Sequence, residues 1–407
     1  MWELVRSNKR KSIFLFTGMF LCLVLLGFFA GAAVDPRDGP FLGLSFAMVL
    51  WIVMLLVSYF TGDKIVLKMS GAKEVDHSAH PQLFNIVEEM KIAANLPAMP
   101  KIYIIPEEAP NAFATGRNPQ RAAIAVTAGL LSRLNRDELQ GVIAHEMSHV
   151  LNRDILFMTV AGISLGSIVL LSNIFLRGMF YSGSSSRYRS RGGKGGGQAA
   201  LVFLAIAIVF AVLSPIVARL LYFAISRKRE YLADATGVRL TRYPEGLASA
   251  LEKISRTDLD LPRANKVTAA LYIVNPLKKK GMKLSDLTAT HPPISERVKI
   301  LRSLTHGVNF TAYQEAFDSA RGKHSNLIPR GGLADTAVVA LRGPSPDARP
   351  VEPISARRIA GDVLMAASGF FFVTCSCGLK MKTPPNFNHT QIRCPKCGKI
   401  SDVPKAA

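Results

Sequence analysis

Cysteine and acidic residues are scarce in this chain of 407 residues. Only five cysteines occur, and four of them lie near the C-terminus, which argues against the disulfide framework of a small secreted protein. Asp and Glu number 29 against 50 Lys and Arg, which gives a formal net charge of +21. Such a charge suits nucleic acid or anionic lipid, but no nucleic-acid-binding motif occurs and the basic residues flank apolar segments. We therefore expect contact with a lipid bilayer and no nucleic-acid partner.

Two long uncharged runs lie near the N-terminus. The chain is 49% hydrophobic with a mean hydropathy of +0.23, which is unusual for a purely soluble protein. Residues 13–34 and 41–61 hold 22 and 21 uncharged residues, and each is long enough to cross a hydrocarbon core, which takes about 20 helical residues. The intervening DPRDGP predicts a transmembrane helical hairpin. A cleaved signal peptide is the alternative, but the first apolar run is too long for one.

A second pair of apolar stretches covers residues 155–176 and about 200–218. The segment that joins them, residues 177–197, is rich in Gly, Ser and Arg and predicts a flexible loop. The pair therefore indicates a second hairpin. Pro215 and Arg219 interrupt the last stretch, so two buried core helices, or a pair that dips into the membrane without crossing, are the alternatives.

The remaining segments indicate a divided soluble part. The pattern predicts a helix near 81–95, strands at 101–106 and 122–127, and a long helix over 136–153 whose start is marked by a capping box of Asn135 and Glu138. We predict six segments: 1–63, a transmembrane hairpin; 64–154, the first part of a catalytic domain; 155–226, the second hairpin; 227–326, a helical second part; 327–360, a linker with five prolines; and 361–407, a small separate module.

The HEMSH sequence at residues 145–149 lies inside the capped helix. His145 and His149 are four residues apart, so both project from one helix face and can share one metal ion. Glu146 leans toward the same side, where its carboxylate can take a proton from metal-bound water. The alternative is an ordinary exposed helix, but the apolar neighbours of the motif argue against it.

A catalytic zinc usually takes three protein ligands, so a third ligand is needed. Residues 155–229 contain no Asp, Glu, His or Cys, which makes Glu230 the first downstream candidate. An even number of crossings separates Glu230 from HEMSH, so both return to the same membrane face. Asp234, one turn beyond Glu230, could hold a ligand histidine through its other ring nitrogen, although pairing with a nearby arginine is an equal alternative.

Four local motifs resemble the HtpX-like family of membrane zinc peptidases, which are relatives of the CAAX prenyl proteases. They are NAFATGR (111–117), AHEMSHVLNRD (144–154), REYLADA (229–235) and THPPISER (290–297), and the resemblance covers roughly residues 1–310. It implies that His145, His149 and Glu230 are zinc ligands and that Glu146 is the catalytic base. It also implies that the NAFATG segment pairs with substrate backbone.

Three further residues are implied by the same resemblance as substrate-binding groups. Asn111 would add a polar contact beside the substrate strand, and His291 and Arg297 would lie near the cleft, where a donor can stabilise an oxyanion. His291 could instead cap the helix that starts near Ser295.

The C-terminal module carries two cysteine pairs. Cys375 and Cys377 lie in CSCG, and Cys394 and Cys397 lie in CPKC, each beside a glycine. Four thiolates can surround one structural zinc, which would stabilise a module too small for its own core. The first pair is C-x-C rather than C-x-x-C, and redox-active pairs or a disulfide are the alternatives. We assign the predicted zinc ribbon no catalysis and expect it to organise a surface for a partner protein.

The flanking charges predict an orientation. Four basic residues precede the first apolar run and only Arg37 lies in the first loop, so the N-terminal tail and the catalytic segment are predicted to face the cytoplasm. The second loop conflicts with this rule because its basic residues would face outward. We give greater weight to the first hairpin and to the reducing compartment that a ribbon of thiolates prefers. The basic residues before the first apolar run are Arg6, Lys9, Arg10 and Lys11. Those of the second loop are Arg177, Arg187, Arg189, Arg191 and Lys194.

The expected fold is a mainly α-helical integral membrane protein that carries a zincin-like α/β metalloprotease domain, two transmembrane hairpins and a small zinc ribbon. We expect two zinc ions, one catalytic and one structural. The resemblance implies a multi-pass protein of the cell inner membrane that hydrolyses misfolded or damaged membrane proteins as part of a stress response. The alternatives are a CAAX-type processing protease and an inert membrane adaptor that acts through its ribbon.

Overall fold

A computed structural model of the protein describes most of the chain. The described residues are 2–182, 196–257, 259, 261–262, 271–274, 291–305, 307–322, 324, 327–328, 330–333, 337–348, 353–387 and 389–403. Arg187, Arg189, Arg191 and Lys194 of the predicted loop lie outside these ranges, as does Thr290 of the fourth motif.

Two long antiparallel helices form the N-terminal hairpin. Helices α1 (Trp2–Val34) and α2 (Gly39–Met69) are joined by the short turn that the sequence predicted. Their apolar segments, Ser12–Val34 and Gly39–Met69, are long enough to cross a membrane, and only 28% and 17% of the most apolar windows are buried. A core helix of a soluble protein would be mostly buried, so this exposure is consistent with membrane spans.

Four glycines bring the two helices into close contact near the turn. Gly27 faces Gly43, and Gly31 faces Gly39. A Cβ atom on any of the four would overlap the carbonyl oxygen of the glycine opposite. The backbones can therefore approach each other more closely than side chains would allow, as in small-residue packing of membrane helices.

A mixed four-stranded sheet follows the hairpin. Its strands β1 (Lys73–Glu74), β2 (Lys101–Ile105), β3 (Ala112–Thr115) and β4 (Ala123–Thr127) lie in the order β1-β2-β4-β3. Strands β2 and β4 are parallel, whereas β1 and β3 run antiparallel to their neighbours. The sequence predicted β2 and β4 correctly, since both are short apolar runs. Strand β3 lies at one edge of the described sheet.

Helices cover both faces of the sheet. Helix α3 (Pro81–Ala93) and α4 (Ala128–Arg133) precede α5 (Arg136–Leu151), which holds the HEMSH sequence. The remaining helices are α6 (Asp154–Ser182), α7 (Gly196–Thr241), α8 (Pro244–Ser255), α9 (Ile294–Arg302), α10 (Phe310–Arg321), α11 (Arg330–Leu333) and α12 (Pro353–Ala367). One core lies between the sheet and helices α3, α5, α8, α9 and α10.

A second core joins the other face of the sheet to the membrane hairpin. Leu15 and Met19 of α1 share it with Phe113 and Ala125 of the sheet. Helix α6 adds Phe157 to the same cluster. The sheet therefore packs directly on the helices that carry the apolar spans.

Helices α6 and α7 occupy the region of the second predicted hairpin. Their uninterrupted apolar stretches, Ser164–Ile174 and Leu204–Val217, are shorter than those of α1 and α2. Pro215 lies within α7 without ending it, since the helix runs on to Thr241. Whether this pair crosses the membrane stays a prediction.

The segment predicted as a linker contacts the protease domain. Within it, residues 337–348 form a strap in which Val339 pairs with Val308 and Arg342 binds Asp137 at 2.9 Å. Helix α12 then packs its Val363 into the same core as helix α4. Pro344 and Pro346 disfavour regular structure in the strap but do not keep it away from the domain.

Candidate metal centre

Helix α5 buries the HEMSH residues completely inside the domain. Its predicted capping box is present: Asn135 accepts from the Glu138 backbone N–H, and the Glu138 carboxylate accepts from that of Asn135. Gly141 allows α8 to approach the helix, because a Cβ there would lie 2.6 Å from the Leu247 nitrogen. Gly237 of α7 similarly allows close contact with the backbone of His145. Two small residues thus let the neighbouring helices pack against the motif.

Helices α5 and α7 bring three potential metal ligands together. One donor atom from each of His145, His149 and Glu230 lies within 4.8 Å of the others. The Nε2 atoms of His145 and His149 are 3.5 and 3.4 Å from the two carboxylate oxygens of Glu230. All three side chains are almost fully buried. Two imidazoles and one carboxylate are a ligand set that a catalytic zinc takes.

Several polar atoms at this point lack hydrogen-bond partners among the described residues. They are Nε2 of His145, Oε2 of Glu230 and both carboxylate oxygens of Glu146. Leaving such atoms unpaired in a protein interior is costly, and a bound cation would satisfy ligand atoms of this kind. The arrangement therefore fits a zinc ion held by His145, His149 and Glu230.

The titration behaviour of the buried groups reflects the same crowding of charge. Although burial alone would lower it, the pKa of His149 is raised to about 10 by the carboxylates of Asp154 and Glu230. Burial raises the pKa of Glu146, and the nearby Glu230 carboxylate adds to this effect. In the absence of metal, protons therefore favour the imidazoles, where a cation would compete with them.

Asp234 orients His145 from behind. One oxygen of Asp234 lies 2.9 Å from Nδ1 of His145, which leaves Nε2 directed toward Glu230. The guanidinium of Arg297 in turn donates to both oxygens of Asp234 at 2.7 and 2.8 Å. Both alternatives weighed for Asp234 are thus present together, as a His145–Asp234–Arg297 chain. Such outer contacts fix the tautomer and orientation of a ligand histidine.

A second histidine–carboxylate–arginine series lies behind His149, and the sequence did not lead us to predict it. Oδ2 of Asp154 is 3.4 Å from Nδ1 of His149, and Nη1 of Arg229 donates to Oδ1 of Asp154 at 2.6 Å. Arg229 also lies over the ring of Phe157, with 3.6 Å between Cζ and the ring centroid. The signal was available, because Asp154 is the last acidic residue before the long stretch without acids and Arg229 directly precedes Glu230.

The other implied site residues have partners inside the protein. Nδ2 of Asn111 donates to the carbonyl of Val274 at 2.8 Å, which ties residues 271–274 to the start of β3. Arg297 is fully buried against Asp234. Both His291 and Arg297 lie beside the ligand Glu230: Nε2 of His291 is 3.7 Å and Nη1 of Arg297 is 3.6 Å from its Oε2. Burial lowers the pKa of His291 to about 4, whereas Arg297 keeps its charge. His291 is therefore the one of the two whose side chain is neutral near pH 7.

Four cysteines form a second cluster in the C-terminal module. Strands β5 (Phe371–Thr374) and β6 (Lys380–Thr383) make one hairpin, and β7 (Gln391–Arg393) and β8 (Ile400–Asp402) make another. The Sγ atoms of Cys375 and Cys397 are 3.4 Å apart, and those of Cys377 and Cys394 are 3.6 Å apart. Gly378 and Gly398 take positive φ angles in the two turns. The geometry suits one tetrahedral ion, as proposed for a zinc ribbon.

Comparison with known proteins identifies relatives over most of the chain. Residues 77–305 match peptidase family M48. Curated relatives described as protease HtpX homologs include those of Dictyoglomus turgidum (43% identical over 303 residues, 74% of this chain and 94% of that protein) and Syntrophobacter fumaroxidans (45% over 290 residues, 71% and 98%). A crystal structure of S. mikatae Ste24p is similar with a TM-score of 0.38 at 20% identity, covering 74% of this chain and 67% of that chain. About a quarter of this chain lies outside each match to the curated relatives.

Proposed function

Because this chain belongs to peptidase family M48, we propose that it is a membrane-bound zinc endopeptidase that removes misfolded or damaged membrane proteins. As a member of this family, the chain is a metalloprotease. The observation that carries the fuller proposal is the convergence of His145, His149 and Glu230 within 4.8 Å, next to the carboxylate of Glu146. The two apolar helices of the N-terminal hairpin support attachment to a membrane.

Each residue of the centre has a proposed role. His145, His149 and Glu230 hold zinc, which when bound supplies a Lewis acid that polarises the scissile carbonyl and lowers the pKa of water. Glu146 accepts the proton of the attacking water and returns it to the leaving amine. Burial raises the pKa of Glu146 above that of an exposed carboxyl, which brings it closer to the value a general base needs near neutral pH.

The surrounding residues exclude water and fix geometry. Asp234 and Asp154 hold the two imidazoles in the orientation that directs Nε2 toward Glu230. The neutral ring of His291 offers an N–H for the oxyanion that forms during hydrolysis. Arg297 donates to both oxygens of Asp234 and lies 3.6 Å from Oε2 of Glu230, so we assign it the positioning of these two carboxylates rather than contact with substrate.

The proposed function is tested with the purified full-length chain and an unfolded model polypeptide. Glu146→Gln should retain zinc but lose proteolysis by a factor of about 10² to 10⁴, because an amide cannot accept the proton of water. Glu252→Gln makes the same change at a partly exposed carboxylate that pairs with Arg302 away from the metal centre, and it should cleave normally. If Glu146→Gln cut at the wild-type rate, Glu146 would not be the base. If the wild-type chain cut no polypeptide, the adaptor alternative would replace the protease.

The substrate class is tested in cells. Membrane proteins that accumulate in cells carrying Glu146→Gln but not in cells carrying Glu252→Gln are the expected substrates, and quantitative proteomics of the membrane fraction measures them. An unchanged membrane proteome under protein-folding stress would contradict the proposed role in quality control.

A further inference from the structure

Two arginines of the protease domain contact the membrane hairpin, one on each helix. Nη2 of Arg229 donates to the hydroxyl of Ser12 on α1 at 2.8 Å. Arg117, two residues after the end of strand β3, lies over the ring of Tyr59 on α2, with 5.5 Å between its Cζ and the ring centroid. The two contacts attach the domain to the hairpin at two independent points.

Both contacts lie at the same height on the hairpin. Ser12 is the first residue of the apolar segment of α1 and lies 23 residues before Asp35 in the turn, a helical rise of about 35 Å. Tyr59 lies 20 residues after Gly39, a rise of about 30 Å. These lengths match the hydrocarbon thickness of a bilayer, which is about 30 Å. The two arginines therefore contact the hairpin at one membrane surface.

The exposed side chains locate the same surface independently. Large apolar residues are exposed along α2 as far as Phe60, and the charged Asp63 and Lys64 follow within one turn. On α1, Lys9 and Arg10 lie exposed just before Ser12. Aromatic residues next to basic residues are typical of the boundary between lipid and water. The exposed large apolar residues of α2 up to this point are Phe41, Leu42, Phe46, Met48, Val49, Ile52, Val53, Leu56, Val57, Tyr59 and Phe60, and Met69 at the end of the helix follows after the charged residues.

The proposed metal ligands lie close to this surface. Glu230 directly follows Arg229, and the Arg229–Asp154 pair contacts His149. The catalytic carboxylate of Glu146 lies beside the backbone of Ala114. Ala114 precedes Arg117 by three residues, which span at most about 10 Å. The Arg117 side chain and its 5.5 Å distance to the Tyr59 ring add roughly the same again, so the reaction centre is within about 20 Å of the height at which the spans emerge.

The edge of β3 faces away from the sheet at the same place. Thr127 donates to the carbonyl of Asn111, and the antiparallel register then turns the backbone groups of Ala112 and Ala114 outward. The outward carbonyl of Ala112 already accepts from the N–H of Ile273. Ala114 is the next outward position and the one beside Glu146. An extended peptide that pairs with β3 at Ala114 would place its backbone next to the catalytic base.

We propose that this protease selects its cleavage position by height above the membrane, cutting the extended segment that directly follows a transmembrane helix of the substrate. The inference rests on the proposed function and adds to it where in a substrate the cut falls. With the centre at most about 20 Å from the surface and about 3.3 Å per extended residue, cuts fall within roughly ten residues of the helix end. The contacts Arg229–Ser12 and Arg117–Tyr59 set this height.

The test uses a substrate in which sequence cannot determine the cut. A short peptide that the purified full-length protein cleaves in solution is repeated three times behind a single transmembrane helix, and substrate and protease are reconstituted in the same vesicles. We expect at least about fivefold more cuts in the first repeat than in the third, because only the first lies within reach. The same tail without its helix should be cut equally in all repeats. Mass spectrometry of the products measures both distributions.

The outcomes separate this proposal from the proposed function. Equal cutting of all three attached repeats, or cutting of the free tail only, would overturn selection by height while leaving the protease assignment intact. If no peptide were cut in solution, the proposed function itself would fail.

A pair of variants tests the contact on α2. Tyr59→Ala removes the ring under Arg117 and should spread cuts to the second and third repeats without changing the rate on the free tail, whereas Tyr59→Phe keeps the ring and should behave as wild type. An unchanged distribution in Tyr59→Ala would overturn the role of this contact in setting the height.

Discussion

The two candidate metal sites of this protein are built in opposite ways. The ligands His145, His149 and Glu230 lie inside a core formed by a sheet and several helices, and carboxylates fix both imidazoles from behind. The four cysteines lie instead at the tips of two short hairpins. Among the described residues, their buried cluster contains Val373 and Met381 besides Cys375 and Cys394, and the partly buried Leu379, Ile392 and Val403 pack against it.

This difference indicates whether each region needs its metal ion in order to fold. Around the histidines, packing of α5 against α7 and α8 already places the ligands, so the protein can form the site before metal binds. Around the cysteines, two buried and three partly buried apolar side chains cannot offset the chain entropy of some 30 residues, and we expect metal binding to supply the stability. We expect metal loss to leave the first region folded and to unfold the second.

The largest expected effect is therefore unfolding of the ribbon after loss of one thiolate. Cys394→Ser should abolish protection of residues 371–403 from hydrogen exchange, because the metal binding energy is the folding energy of this module. Protection of α5 should not change. Hydrogen exchange with mass spectrometry measures both regions, and Cys22→Ser, a cysteine outside the cluster, is the control. Retained protection in Cys394→Ser would mean that the ribbon folds without its metal.

A smaller effect is expected from removing one ligand of the buried centre. Glu230→Ala should lower zinc affinity more than 100-fold, beyond the 10- to 100-fold typical of an outer contact, while the domain stays folded. The measurement is zinc content in a chain that ends at Ser368, which keeps the strap and α12 but lacks all four ribbon cysteines. Full zinc retention would point to another ligand, such as His291 or Asp234.

Removing the charge of either carboxylate behind the imidazoles should lower zinc affinity less than Glu230→Ala does. Asp154→Asn and Asp234→Asn keep the side-chain shape but lose the charge, and each should reduce zinc affinity by about 10- to 100-fold. Competition with a fluorescent zinc chelator measures the affinity, and Asp318→Asn, a carboxylate outside the site, is the control. If only Asp234→Asn lowered zinc affinity, the Asp154–Arg229 pair behind His149 would have no part in holding the metal.

The smallest effect is expected at the strap. Arg342→Ala removes one partner of the buried Asp137 at the start of α5 and should reduce stability by about 1 to 3 kcal/mol, the usual cost when a buried polar group loses a hydrogen-bond partner. Zinc content should stay at wild-type level. Thermal unfolding of the purified chain measures the change against Arg358→Ala, an exposed arginine. Equal melting temperatures would show that the strap only rests on the domain.

Local patterns made much of this architecture predictable from sequence. The capping box of Asn135 and Glu138 and the HEMSH spacing depend on neighbours along one helix, and the structure contains that helix over Arg136–Leu151. Strands β2 and β4 were equally clear as short apolar runs. Glu230 was found by the absence of other ligand types over residues 155–229, and the structure places it beside both histidines.

Contacts between distant elements were not predictable in the same way. The Asp154–Arg229 pair depends on how α6 meets α7, and nothing in the local sequence gives that packing. The strap was predicted as a linker because prolines exclude helix and strand, yet Arg342 reaches Asp137 across 205 positions. A charged residue within an irregular segment can bind a folded domain without leaving a periodic pattern.

The four facing glycines near the turn of the N-terminal hairpin control the angle between its two helices, and this angle determines the positions of their far ends. Gly31 and Gly39 fix how closely the helices meet at one end, while Ser12 and Tyr59 bind the protease domain at the other, about 30 Å away. A side chain added at Gly31 would wedge the helices apart at the turn and change the angle between them. The changed angle would displace Ser12 and Tyr59 relative to each other. Because Ser12 contacts Arg229, a substitution far from the metal would shift Arg229 and, through it, Asp154 and His149.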